Sequence, residues 1–184
     1  MPFGYNFDFY EPNEDSFVFL DLLRSETISG QVVCDMGSST GILSRHLDNT
    51  NLVVNVDINR IALLNNRNGN RILSNLFTGI NINAFDTVIF NPPYVINEDG
   101  PEFTDSKLNS VVLEGGPDGC AVIDEFLQLV NHSRVRLVYL LCIAANETRQ
   151  KIPDKIDSDK YTVKERARKK IVGETLIIYE IRRN

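Results

Sequence analysis

The chain predicts a doubly wound α/β fold built on a mostly parallel, seven-stranded sheet. Three observations carry this expectation. Short apolar runs alternate with segments of helical periodicity along the chain. Leu137 to Ile143 is apolar without a break, as expected of a strand covered on both faces. Gly37, Asp57, Asn75 and Asn91 all fall just beyond the ends of apolar runs, where doubly wound sheets hold their ligands.

The elements follow in order. Asn13 is placed to cap a helix over about Glu14 to Arg24, with Glu14 and Asp15 in its positive first turn and Phe17, Leu20 and Leu23 offered to the core. Gln31 to Asp35 reads as a short buried strand. It runs into Met36-Gly37-Ser38-Ser39-Thr40-Gly41, which opens a helical stretch over Ile42 to Leu47. Leu52 to Val56 is the second strand and ends in Asp57. A helix near Arg60 to Asn66 and strands near Ile72 and Val88 come next. Beyond a loop over Val95 to Pro117, residues Val122, Ile123, Phe126, Leu127 and Val130 make one apolar stripe on a helix of about Cys120 to Val130. The polar segment Asn146 to Lys160 suggests a short helix followed by loop. Tyr161 to Val163 and Thr175 to Tyr179 are the last two strands. The basic run Lys164 to Lys170 is assigned to a solvated hairpin tip between them, in preference to a substrate-docking role.

With 184 residues the chain is expected to form one domain over 1–184, with an N-terminal helical segment at about 1–30. Its net charge of −6 supplies no general basic field for nucleic acid. No apolar run approaches the ~18 residues of a membrane span, and the start lacks a leader-like pattern. The expected location is cytoplasmic, with a nuclear pool left open. Cys34, Cys120 and Cys142 are scattered and odd in number, which predicts reduced core residues. His46 and His132 stand alone without metal-ligand spacing, so no metal site is expected.

Two stretches carry chemistry. The first is strand, glycine loop and helix start, in which Gly37 and Gly41 let backbone approach a ligand and free N–H groups face it. About twenty residues on, Asp57 stands where nucleotide folds place a carboxylate on ribose hydroxyls. A dinucleotide and S-adenosylmethionine both suit such a unit. The fingerprint G-x-G-x-x-G is absent, which favours S-adenosylmethionine. The second stretch is Asn91-Pro92-Pro93-Tyr94, directly after Thr87 to Phe90. Its prolines fix φ and remove two N–H donors, so nearby carbonyls meet no competing donor. The Asn91 amide oxygen and the Pro92 carbonyl could accept both hydrogens of a planar –NH2 group, with the Tyr94 ring covering its face.

On these residues the chain resembles the HemK family of glutamine N5-methyltransferases, in its short eukaryotic and archaeal branch acting on class 1 translation release factors. Tyr10-Glu11-Pro12-Asn13-Glu14-Asp15-Ser16-Phe17 resembles that branch's Y-E-P-x-E-D-T-F, and Asp35 to Gly41 its glycine loop. Asp57-Ile58-Asn59 is similar to its D-I-N, and Ser74-Asn75-Leu76 falls where it has T-D-L. Asn91 to Tyr94 is its N-P-P-Y. Glu114 to Gly119 looks like its GG-x-DG loop, and Gly173-Glu174-Thr175-Leu176 like its G-E-T-L. There are three departures. Ser39 replaces a glycine and its Cβ could crowd the methionine end of the cofactor. Asn75 replaces an Asp that accepts from the adenine amino group, and Ser16 replaces a threonine.

The resemblance implies a class I S-adenosylmethionine-dependent methyltransferase fold and methylation of the glutamine nitrogen in a release factor's Gly-Gly-Gln motif. Catalysis would fall to Asn91, Pro92, Pro93 and Tyr94. The cofactor would be held by Ser16, Asp35, Gly37, Ser39, Gly41, Asp57, Ile58, Asn75, Leu76 and Asn91. It also implies a small zinc-binding activator subunit that adds a strand at the sheet edge near Asn70 to Leu73. Arg67, Asn68 and Arg71 would otherwise blunt that edge. Two alternatives stand beside this reading: an adenine N6-specific DNA methyltransferase, which presents the same –NH2 to the same four residues, and a methyltransferase-like scaffold without catalysis.

Overall fold

The computed structural model describes residues 9–96, 115–148 and 150–184. The loop expected over Val95 to Pro117 lies mostly outside these residues, as do Glu114 and the first part of the N-terminal segment. Seven strands form one sheet: β1 (Val32–Met36), β2 (Leu52–Asp57), β3 (Asn70–Leu73), β4 (Thr87–Phe90), β5 (Leu137–Ile143), β6 (Tyr161–Lys170) and β7 (Thr175–Arg183), in the order β3-β2-β1-β4-β5-β7-β6. β1 to β5 pair in parallel with one another, whereas β7 runs antiparallel to both β5 and β6. The doubly wound α/β expectation therefore holds.

β5 shows why its sequence lacks polar alternation. Val138, Leu140 and Cys142 face a core shared with Phe90, Ile123 and Phe126, while Tyr139, Leu141 and Ile143 face a second core with Phe19, Leu22 and Ile89. Both faces are covered, so each alternating position must be apolar. The first cover is α3 (Ala121–Asn131), whose Phe126 ring lies 4.7 Å from that of Phe90 between centroids. The second includes α1 (Glu14–Ser25), capped by Asn13, whose side chain accepts from Glu14 N. Cys34, Cys120 and Cys142 are free and buried. No helix among the described residues is long and apolar enough to cross a membrane.

Three local expectations need correction. Ile42 to Leu47 forms only a 3-10 turn at Ser44–His46. The Asp35 carboxylate takes Ser44 N at 3.2 Å, and the Asp48 side chain takes Thr50 N at 2.8 Å in a new turn, which leaves too few residues for a second helical turn. Asn146 to Lys160 likewise holds two 3-10 turns, Ala144–Glu147 and Ile152–Lys155, the latter with a proline near its start. The basic run Lys164 to Lys170 is not a hairpin tip but part of β6, and the turn falls at Ile171 to Glu174, where Ile171 N donates to Glu174 O at 3.0 Å.

A bulge between Glu165 and Ala167 aims Arg166 at Glu180 and Glu26, and Arg168 pairs with Glu165 at 2.7 Å. At the opposite edge, α2 (Arg60–Asn65) is capped by Asn59 and packs beside β3. Arg71 does not blunt that edge. Its guanidinium turns back onto the carbonyls of Leu63 and Asn66, at 3.0 and 2.8 Å, and closes the end of α2.

Candidate active site

The carboxyl ends of β1, β2, β3 and β4 open into a cavity of about 150 Å³. The loop after β1 is pinned from below: Ser38 N donates to Val56 O at 3.1 Å and Gly41 N to Ser38 O at 2.7 Å. Ser39 takes a left-handed backbone with φ of 43°, and its N–H donates to Asp57 Oδ2 at 2.7 Å. The other carboxylate oxygen of Asp57 accepts from Asn59 N at 2.7 Å. Burial pushes the Asp57 carboxyl above its usual range, and these backbone donors oppose the rise.

Most of the residues assigned from sequence line this cavity. Gly37 and Ser39 come from the first loop, Asp57 and Ile58 from the end of β2, and Asn75 and Leu76 from beyond β3. Asn91, Pro92, Pro93 and Tyr94 close one side, and Ser16 reaches it from α1. Asp35 and Gly41, grouped with them in the sequence, do not line it. Asp35 is buried beneath the loop, where desolvation pushes its carboxyl up to about 7 against the opposing bonds from Ser44. A Cβ at Gly41 would stand 2.5 Å from the Asn66 side chain, so the glycine is there to let two segments touch. Both residues shape the loop rather than face a ligand.

The substrate end is organised by a residue that the sequence placed at a helix start and within the Tyr10 to Phe17 motif, with no role of its own in the site. Asp15, 4% exposed, accepts Asn91 Nδ2 at 2.9 Å and the Tyr94 hydroxyl at 3.0 Å on one oxygen. The other oxygen takes the Tyr10 hydroxyl and, at 2.6 Å, Ser16 N. Its placement in the first turn of α1 is favourable because the helix N-terminus is partly positive. A carboxylate accepts only, so Asn91 must present its NH2 to Asp15 and its Oδ1 the other way. That Oδ1 is buried and unpaired, as is Ser38 Oγ. Burial and the Asp15 charge push the Tyr10 and Tyr94 hydroxyls well above their ordinary range, which keeps both as donors. Burial, then Asp15, also raises Glu174.

A second support comes from beyond β5. Asn146 Nδ2 donates to Tyr94 O at 3.0 Å while its Oδ1 accepts Ile143 N at 3.0 Å. Gly119 has φ of 69° and a Cβ there would lie 2.3 Å from Tyr94 O, so Gly119 itself packs directly against the Tyr94 backbone. Asn146 had no signal in the sequence, since it opens a polar stretch that reads only as a short helix followed by loop.

The sheet order and a ligand cavity at the strand ends define a Rossmann-like methyltransferase fold, which the solved structures support. The chain superposes on the E. cuniculi Mtq2 subunit with a TM-score of 0.83, at 34% identity over 96% of this chain and 99% of that one; that structure is of an Mtq2–Trm112 complex described as methylating the termination factor eRF1. The methyltransferase HEMK2 of Homo sapiens is 30% identical over 76% of this chain and 73% of that protein. The eRF1 methyltransferase catalytic subunit mtq2 of Schizosaccharomyces pombe is 27% identical over 96% and 90%. No family model matches. The chain belongs to the Mtq2/HEMK2 family of methyltransferases.

Proposed function

We propose that this chain methylates the side-chain nitrogen, N5, of the glutamine in the Gly-Gly-Gln motif of a class 1 release factor, using S-adenosylmethionine, as the catalytic subunit of a heterodimer. The observation that carries this reading is the buried, unpaired Oδ1 of Asn91 on the cavity wall, beside two prolines that bring no N–H to compete for it. The relatives named for eRF1 methylation support the choice of substrate.

The residues present suit the cofactor. The Asp57 carboxylate takes backbone donors from Ser39, Asn59 and Ile58 and still keeps acceptor capacity for a ribose hydroxyl. Ser38 Oγ is a buried hydroxyl still lacking a partner, and Ile58 and Leu76 give apolar wall for a purine. The exposed amide of Asn75 can accept from an adenine amino group. When bound, S-adenosylmethionine supplies an electrophilic methyl group.

Everything else falls to the protein. An amide nitrogen is a weak nucleophile because its lone pair is delocalised into the carbonyl. Asn91 Oδ1 and the Pro92 carbonyl take the two N–H bonds of the glutamine, and the Tyr94 ring fixes its plane. Preorganised acceptors of this kind favour the pyramidal nitrogen that attack requires. The Asp15 carboxylate holds Asn91 in the one amide orientation that makes it an acceptor. The adenine reading is weaker, because Arg166 and Arg168 in the basic run are already paired with Glu26, Glu180 and Glu165.

The partner reading rests on β3. Every residue of this edge strand is exposed, and Ile72, Leu73, Ile61 and Leu64 leave an apolar surface there. A small zinc-binding activator would extend the sheet at this edge. Mass spectrometry of a release factor incubated with the chain, the activator and labelled S-adenosylmethionine tests the whole proposal. One label on the Gly-Gly-Gln glutamine is expected, falling ~100 to 1,000-fold for Asn91→Ala. Label on duplex DNA alone, or an Asn91→Ala variant that transfers at the normal rate, defeats it.

A further inference from the structure

Ser39 joins the two halves of the site. Its backbone N–H is on Asp57 Oδ2 at 2.7 Å, while its hydroxyl donates to the Tyr10 carbonyl at 2.7 Å. Tyr10 in turn places its own hydroxyl on Asp15, which holds Asn91 and Tyr94. Tyr10 and Pro12 line the cavity, so the segment leading into α1 forms part of its wall.

A non-glycine residue at φ of 43° carries a conformational cost that glycine would not. What a serine supplies in exchange is the hydroxyl on Tyr10. The same bond turns the Ser39 side chain toward the N-terminal segment. The crowding expected of its Cβ is thereby matched by a contact that a glycine cannot make.

We propose that Ser39 is a positioning residue: its hydroxyl latches the Tyr10 to Asn13 segment over the cavity, and through Tyr10 and Asp15 sets the orientation of the Asn91 amide. This deepens the glutamine reading and rests on it for the activity readout. The relay predicts coupling. Removing the Ser39 hydroxyl and removing the Tyr10 hydroxyl cut the same line, so their effects overlap rather than multiply.

The test uses the chain with its activator and three variants, Ser39→Gly, Tyr10→Phe and the double variant. Ser39→Gly suits the left-handed backbone, so it loses the hydroxyl without added strain. Hydrogen exchange of the Tyr10, Glu11 and Asn13 amides should rise roughly 3- to 10-fold in Ser39→Gly, the equivalent of one ordinary hydrogen bond. Single-turnover methyl transfer at saturating cofactor should fall by a similar factor. Tyr10→Phe should show the same loss in transfer, and the double variant no more than either single one. Unchanged exchange at the Tyr10, Glu11 and Asn13 amides in Ser39→Gly overturns the latch, and so do losses that multiply in the double variant. If exchange responds as expected but the wild type leaves the release factor unmethylated, the latch stands and the glutamine assignment falls.

Discussion

Asp15 accepts the Asn91 side-chain NH2 at 2.9 Å and thereby leaves Asn91 Oδ1 buried with no partner. The two residues are far apart in sequence, one in the first turn of α1 and the other at the end of β4, yet the acid decides what the amide can do. Without it, Asn91 could present either end to a substrate.

Asp15→Ala is therefore expected to lower turnover by roughly 100-fold, close to the loss of an oriented acceptor itself. Cofactor affinity should change little, since Asp57 lies on the other half of the cavity. Single-turnover rates beside calorimetric affinities check this. A variant whose rate stays within threefold of wild type would remove Asp15 from the mechanism.

Asp57→Ala should weaken cofactor binding by roughly 1.5–3 kcal/mol, the range for a hydrogen bond to a charged group. It also removes the acceptor of Ser39 N, so exchange at the 37–41 loop should rise at the same time. Affinity should fall as acid protonates the carboxylate, and burial moves that fall to a higher pH than for a free Asp. Calorimetry at several pH values measures both effects; an affinity indifferent to the substitution counts against the ribose role.

Asp35 gives a pH signature in stability. Its carboxyl rises from 3.8 to about 7 on folding, so between those values the folded chain binds a proton that the unfolded chain has lost. The stabilising contribution is complete below about 4 and is lost as the pH climbs to about 7. Asp35→Asn should flatten that part of the profile. Urea melts across the range test it, and a variant with the wild-type slope would show that Asp35 is not its source.

Leu73→Glu addresses the partner edge. Leu73 is 56% exposed, so the substitution should leave the folded chain intact while weakening activator binding at least ~10-fold, as a charge buried at an interface does. Gel filtration with the activator and a melting curve of the chain alone separate the two effects. Normal assembly would place the partner elsewhere.

The sheet was legible because its signal is physical and local. Apolar runs such as Leu137 to Ile143 must be covered on both faces, and that constraint alone implies helices on each side. The cavity wall at Asn91 to Tyr94 was legible for a similar reason, as prolines after a buried strand leave few conformations. What stayed hidden depends on tertiary bonds. Ile42 to Leu47 looked helical until Asp35 captured Ser44 N. The basic run looked like a turn because nothing local reveals that Arg166 faces Glu180 and Glu26 across a bulge. Asp15 satisfied a helix-start rule, and that sufficient local reason concealed its role toward Asn91. Arg71 looked like surface charge until the backbone of α2 claimed it.

The two rims of the sheet differ in kind. β3 is an exposed edge strand carrying Ile72 and Leu73, while β6 carries Lys164, Lys169 and Lys170 beside the glutamate-paired Arg166 and Arg168. A strand arriving from another molecule meets a welcoming border on one flank and electrostatic resistance on the other. Among the described strands the two edges are therefore not equivalent, and a strand added at β3 would leave a charged edge, not a second apolar one, at the far side of the sheet.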